Sequence, residues 1–195
     1  MSLPSVLPAI FLALVALPAS AASVTYEIDP AHTFASFEAD HMGMSTFRGK
    51  FNRSSGQVTL DKAAGTGSVT VEIDATSIDF GQDDLNALMA QPEYFDTTRH
   101  PVARYTGQLA GFVDGSPTRV VGHLTFRGET RSLDLEIDSF KCMPHPVSKR
   151  DWCGADAHGT LDRAAFGIDA GKDYGFDMEV VLRIQVEAVA VAVAD

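Results

Sequence analysis

The side chains of this sequence that could do chemistry are few, and their spacing does not favour it. Six histidines, His32, His41, His100, His123, His145 and His158, are scattered without metal-ligand spacing. There is no G-x-S-x-G elbow, no H-E-x-x-H pair, no phosphate-binding loop and no C-x-x-C. His123 and His158 fall on the polar positions of alternating segments, so they read as surface residues. His41 is different, because it ends an inward-facing row just before Met42-Gly43. There it could hydrogen-bond a ligand head or only a backbone carbonyl. A metal site built from His41 and His100 is the minor alternative. An enzyme would need His41 paired with a nearby Asp or Tyr as acid and base. The expectation is no catalytic residue, no metal and no cofactor beyond a bound ligand.

Cys142 and Cys153 bracket the short segment CMPHPVSKRDWC. A disulfide closing this loop would contribute about 3 kcal/mol in the chain-entropy account. A metal reading would need more ligands than the single His145 between them. Asn52-Arg53-Ser54 matches a glycosylation acceptor but reads more simply as a turn.

The elements that must position these residues are strands. Val69 to Asp74 (VTVEID), Leu133 to Asp138 (LDLEID), Ala155 to Asp162 (ADAHGTLD) and Val180 to Ala188 (VVLRIQVEA) alternate apolar and polar residues. Phe37 to Asp40 and Val58 to Asp61 do so over shorter runs. Such alternation buries one face and wets the other. Turn residues at 52–56, 64–67, 114–117, 127–128 and 170–173 separate the runs about every ten positions, as in antiparallel hairpins. One short helix is expected at 83–90, capped by Asp83 or Asp84 and stopped by Pro92. The tail from Ala188 either extends the last strand or frays.

About eight such strands stack as a sandwich or close as a barrel. Their inward rows are rich in small residues: Ala35, Ala39, Gly49, Ala103, Gly107, Gly122, Ala155, Ala157 and Gly159. These sit among aromatics and suggest an interior that holds one ligand; an interior filled by facing side chains is the alternative. The candidate lining residues are Phe37, Ala39, His41, Phe47, Gly49, Phe51, Val71, Ile73, Leu88, Phe95, Ala103, Tyr105, Leu124, Phe126, Leu133 and Leu135. Any one of them alone is better read as ordinary core.

Residues 1–21 read as a signal peptide: an apolar run, Ala9 to Leu17, then Ala19-Ser20-Ala21 as a cleavage site, with Ala22 starting the mature chain. The run is too short to span a bilayer, which takes about 20 apolar residues. No Lys or Arg precedes it, which keeps a membrane anchor open as the alternative. The formal charge of −11 falls on residues 22–195, one domain, and argues against nucleic acid or anionic headgroups as partners. The expected location is the periplasm or outside the cell, without stable membrane insertion. The oligomeric state stays open, a homodimer included.

The ordered set of motifs is specific where each motif alone is weak. His32 to Gly43 (HTFASFEADHMG), Phe47 to Phe51 (FRGKF), Gly67 to Asp79, Tyr94-Phe95-Asp96 with Pro101, Gly122 to Gly128 (GHLTFRG) and Phe166-Gly167 follow one another in a family's order. With the closing 180–188 segment, they closely resemble the YceI-like family across almost all of residues 22–195. That resemblance implies an exported, all-β, lipocalin-like barrel that binds a polyisoprenoid chain or isoprenoid quinone and performs no reaction. Family members often carry basic residues on the short helix near the cavity mouth. Here Leu85 to Ala90 carries none, which shifts the expected headgroup from a phosphate to a neutral one such as a quinone or fatty amide. An enzyme acting on such a lipid and a structural or stress-related surface protein with a filled barrel are the competing readings.

Overall fold

The structure, a computed structural model, describes residues 23–192. The expected signal peptide, residues 1–21, and its cleavage site therefore lie outside the described residues. The described chain is built from twelve strands: β1 (Val24–Ile28), β2 (Phe34–His41), β3 (Ser45–Phe51), β4 (Ser54–Asp61), β5 (Thr66–Asp74), β6 (Ile78–Asp79), β7 (Val102–Ala110), β8 (Arg119–Phe126), β9 (Glu129–Ser132), β10 (Leu135–Pro144), β11 (Asp151–Asp162) and β12 (Glu179–Ala190). One α-helix, α1 (Asp83–Met89), lies between β6 and β7.

Twelve strands make eight staves because four staves are broken. β1 and β2 both pair with β12, interrupted where Pro30 offers no N–H and Asp29 folds back onto the Ala31 amide. β3 and β4 answer them on the other side, broken at Asn52-Arg53. β5 and β6 are split by a 3-10 turn at Ala75–Ser77, where the Asp74 side chain accepts from the Thr76 amide. β9 and β10 share β8 as partner in one continuous register. Every pairing is antiparallel, and β1 against β12 closes the ring. The result is the expected eight-stranded up-and-down barrel with one short helix.

Period two decides which side chains enter it. In β7, Ala103, Tyr105 and Gly107 point in while Arg104 points out, where it pairs with Glu72 of β5. In β8, Val120, Gly122, Leu124 and Phe126 point in, and His123 stays wet as expected. Arg48, Glu38 and Arg183 form a similar outward ladder across β3, β2 and β12. His158 faces outward too, with Nδ1 2.8 Å from Asp138 Oδ1.

Local details differ from expectation. The capping position of α1 is Gln82, with no side-chain cap; Asp83 and Asp84 sit inside the first turn, where their charges meet the helix N-terminus. Only Asn52 and Arg53 of the 52–56 segment turn, since Ser54 to Gly56 already belong to β4. Likewise Thr66 and Gly67 belong to β5. Arg127 and Gly128, with φ of 50° and 81°, do form the expected two-residue hairpin, whose mirror-image turn needs positive φ at both positions. The 170–173 segment makes no hairpin; it lies in a long connection from Arg163 to Met178 that returns over one end of the barrel. The last strand runs on through Ala190. No helix among the described residues is long and apolar enough to cross a membrane.

Candidate functional site

The barrel encloses a cavity of about 600 Å³, lined almost entirely by hydrocarbon. Its long wall is the inward row of β12, where Val180, Leu182, Ile184, Val186 and Ala188 run from one end to the other. At the Val180 end the lining reaches solvent: Leu88 is 46% exposed, Phe47 39% and Tyr174 77%. The β2–β3 turn adds exposed Met42 and Met44 beside them. At the Ala188 end the lining is sealed, with Tyr26 and Leu60 each 2% exposed. The cavity therefore has a mouth and a floor.

Of the candidate lining residues, Phe37, Ala39, His41, Phe47, Phe51, Val71, Ile73, Leu88, Phe95, Ala103, Tyr105, Leu124, Phe126, Leu133 and Leu135 all face this one space. Gly49 does not. It points inward but is covered by the Phe37 ring, so that a Cβ there would lie 2.6 Å from Phe37 Cζ. The same holds for Gly122 under the Tyr105 hydroxyl and Gly107 under Val120. These glycines do not leave space for a ligand; they let larger neighbours lie close against the wall. The alanines, by contrast, do line the cavity: Ala35, Ala39, Ala103, Ala155, Ala157 and Ala188.

Aromatic rings form a continuous band inside the mouth. Phe37 meets Phe51, Phe80 and Phe95 with centroids 5.8, 5.4 and 6.3 Å away, and Phe95 leads through Phe126 to Phe166. The polar groups in the wall are mostly occupied by the protein itself. Tyr105 Oη donates to the Leu133 carbonyl at 3.0 Å, and burial pushes its phenol pKa up, keeping it neutral. Thr33 Oγ1 donates to the Glu187 carbonyl. Asp40, on the rim, accepts from the Gly43 amide at 2.8 Å. Ser54 Oγ is buried without a partner among the described residues.

Sequence reasoning missed the floor and one cation. Arg163, from the β11–β12 connection, lines the cavity, so the basic group absent from α1 arrives from another element. Its guanidinium is spent on backbone, donating to the carbonyls of Asp177, Ile168 and Ala170. Burial lowers its pKa from the ordinary arginine value. A lone Arg in LDRAAFG carries no periodic signal that could have marked it. His41 and His100 belong to no cluster of metal-ligating side chains among the described residues. Cys142 and Cys153 stand directly opposite each other on β10 and β11 and are joined, with S–S 2.01 Å.

An up-and-down barrel with a single-ended apolar cavity defines a class of small ligand-holding β-barrels. Residues 26–188 match the YceI-like domain. The chain belongs to the YceI-like family. It is 30% identical over 189 residues to Protein YceI of Shigella flexneri, covering 95% of this chain and 97% of that one. It is also 30% identical over 173 residues to a UPF0312 protein of Pectobacterium carotovorum, with 88% of each chain covered. Among solved structures, BcnA of Burkholderia cenocepacia superposes with a TM-score of 0.65 at 23% identity, over 82% of this chain and 98% of that one. A polyisoprenoid binding domain from Saccharophagus degradans, implicated in plant cell wall breakdown, gives 0.62 at 18% identity, over 86% and 99%.

Proposed function

We propose that this protein binds a long apolar lipid of the isoprenoid type, a polyisoprenoid or an isoprenoid quinone, and carries or sequesters it without reacting with it. The observation that carries this reading is the cavity: one continuous hydrocarbon-lined space, open at the His41 end and closed at the Tyr26 end. Burying each ligand CH2 there contributes about 0.8 kcal/mol, so a long chain needs few polar contacts. The structural likeness to a polyisoprenoid binding domain supports the same ligand class. The rim tells against acid–base chemistry, since Asp40 faces the Gly43 amide and His41 packs between aromatic rings. The head would sit at the mouth among His41, Phe47 and Tyr174, where Arg163 already serves backbone carbonyls; a neutral head suits that rim. The Cys142–Cys153 bond fits the oxidising conditions met by an exported protein, in the periplasm or outside the cell.

The test is native mass spectrometry of protein purified from its own host, followed by lipid extraction. A stoichiometric prenyl-chain lipid is expected. Protein that emerges empty and takes up no prenyl chain from detergent or vesicles would refute the reading.

A further inference from the structure

The floor of the cavity is built to stay put. Tyr26 is the largest side chain whose exposure is near zero, and it lines the sealed end together with Leu60, Cys153 and Ala188. Its hydroxyl donates to Asp151 Oδ2 at 2.8 Å, and Lys62 Nζ grips the same oxygen at 2.7 Å. Burial acts to raise the Asp151 pKa, but the hydrogen bonds from Lys62 and Tyr26 outweigh it and hold the carboxyl below its ordinary value. Three staves are tied at this point, β1 through Tyr26, the β4–β5 turn through Lys62 and β11 through Asp151. The adjacent disulfide pins β10 to β11 two residues further on. A phenol fixed in this way reaches from β1 past the Ala190 end of β12 to β11, lines the closed end of the cavity, and cannot swing aside as a free aromatic would.

The geometry points to Tyr26 as a chain-length stop: the floor residue that sets how many isoprene units the barrel accepts. The inference rests on the prenyl-lipid reading above and adds a length to it. From Val180 to Ala188 the inward row of β12 spans eight steps of the strand. At about 3.3 Å per residue and a tilt near 40°, the depth from rim to floor is about 20 Å. An extended chain gains about 1.2 Å per bond, judged from the three backbone bonds per residue, so a four-bond isoprene unit takes about 5 Å. The cavity therefore buries about four units, and one inward row of the wall corresponds to about one unit. A fifth unit would remain at the rim among Phe47, Leu88 and Tyr174, where it gains little burial.

The experiment is competition between all-trans prenols of three, four, five and six units for the full protein, read by native mass spectrometry. Occupancy by the wild type is expected to favour the longer chain up to four units and to level off beyond. Tyr26→Phe keeps the ring but frees it from Asp151, so the limit should soften and chains of five and six units should gain occupancy. Tyr26→Ala removes the stop and should move the limit up by at least one unit. Val186→Phe fills the row above the floor and should move it down by one. If Tyr26→Ala fails to fold, as judged by circular dichroism, the softened limit of Tyr26→Phe decides. An unchanged limit in folded variants overturns the stop. Failure of the wild type to bind any prenol overturns the lipid reading itself, a distinguishable result.

Discussion

The imidazole of His41 lies flat on the ring of Phe47, with centroids 4.3 Å apart and planes 16° from parallel, and meets the edge of Phe176 at 5.1 Å. It is thus held by aromatic faces at the rim and not by the backbone carbonyl that its place before the Gly43 turn also allowed. Among the described residues its ring nitrogens have no hydrogen-bond partner. Replacing His41 by Phe preserves the stacking and removes the donor. Affinity for a prenol should fall about two- to tenfold, the worth of one ordinary hydrogen bond, while a matched hydrocarbon chain binds unchanged. Equal losses for both probes would show that His41 only packs.

Ala103 and Gly49 both point inward, yet enlarging them should have opposite consequences. Ala103 borders the cavity, so Ala103→Phe fills space that the ligand would use. Bound lipid should be lost while the unfolding midpoint changes little. Gly49→Leu instead drives a side chain into Phe37, whose Cζ is 2.6 Å from the new Cβ. Overpacking of this kind should destabilise the fold by about 1–3 kcal/mol or more. Urea titrations of the two variants, run beside lipid extraction, check the contrast.

The disulfide spans a sequence separation of 11. Loop closure of that size gives an expected loss of about 3 kcal/mol in the Cys142→Ser, Cys153→Ser double variant. Neither thiol of the native protein should react with iodoacetamide until a reductant is added, which mass shift reports directly.

His32 and Asp29 define a pH window. The hydrogen bond between them, with Nδ1 2.8 Å from Oδ2, raises the imidazole above its ordinary 6.5, and the same bond lowers the carboxyl below 3.8. The His32 contribution is complete below pH 6.5 and disappears as pH rises through its raised value. The Asp29 contribution is complete above pH 3.8 and disappears as pH falls through its lowered value. The gap in Tm between wild type and His32→Gln should be widest between those limits and shrink steadily as pH is raised. The pair is exposed, so the gap will be small.

Parity made most of this site readable from sequence. Runs such as VVLRIQVEA keep one face apolar over many residues, and that face is the cavity wall. Parity names the face but not the neighbour that covers it, which is why alternation puts Gly49 beside a ligand while the fold lays it beneath Phe37. Tyr26 escaped notice because VTYEI is too short to show a strong alternation, and its meaning comes from Asp151, 125 positions away. Phe166, Phe176 and Arg163 reach the mouth from a connection of 3-10 turns and glycines, where no period exists to read.

The seam between β1 and β12 joins Tyr26 to Ala190, Glu27 to Val189 and Ile28 to Ala188, so among the described residues the first strand is completed by the last. Its two sides lie roughly 160 positions apart. At about 5–20 residues per second, the nascent first strand waits about eight to thirty seconds for its partner. Any sheet formed before β12 arrives would be an open trough with two unpaired edges and its apolar lining turned toward water. Closure therefore cannot proceed vectorially with translation. Truncation before Val180, which removes every β12 partner of both β1 and β2, leaves an aggregation-prone open trough in place of a shortened barrel.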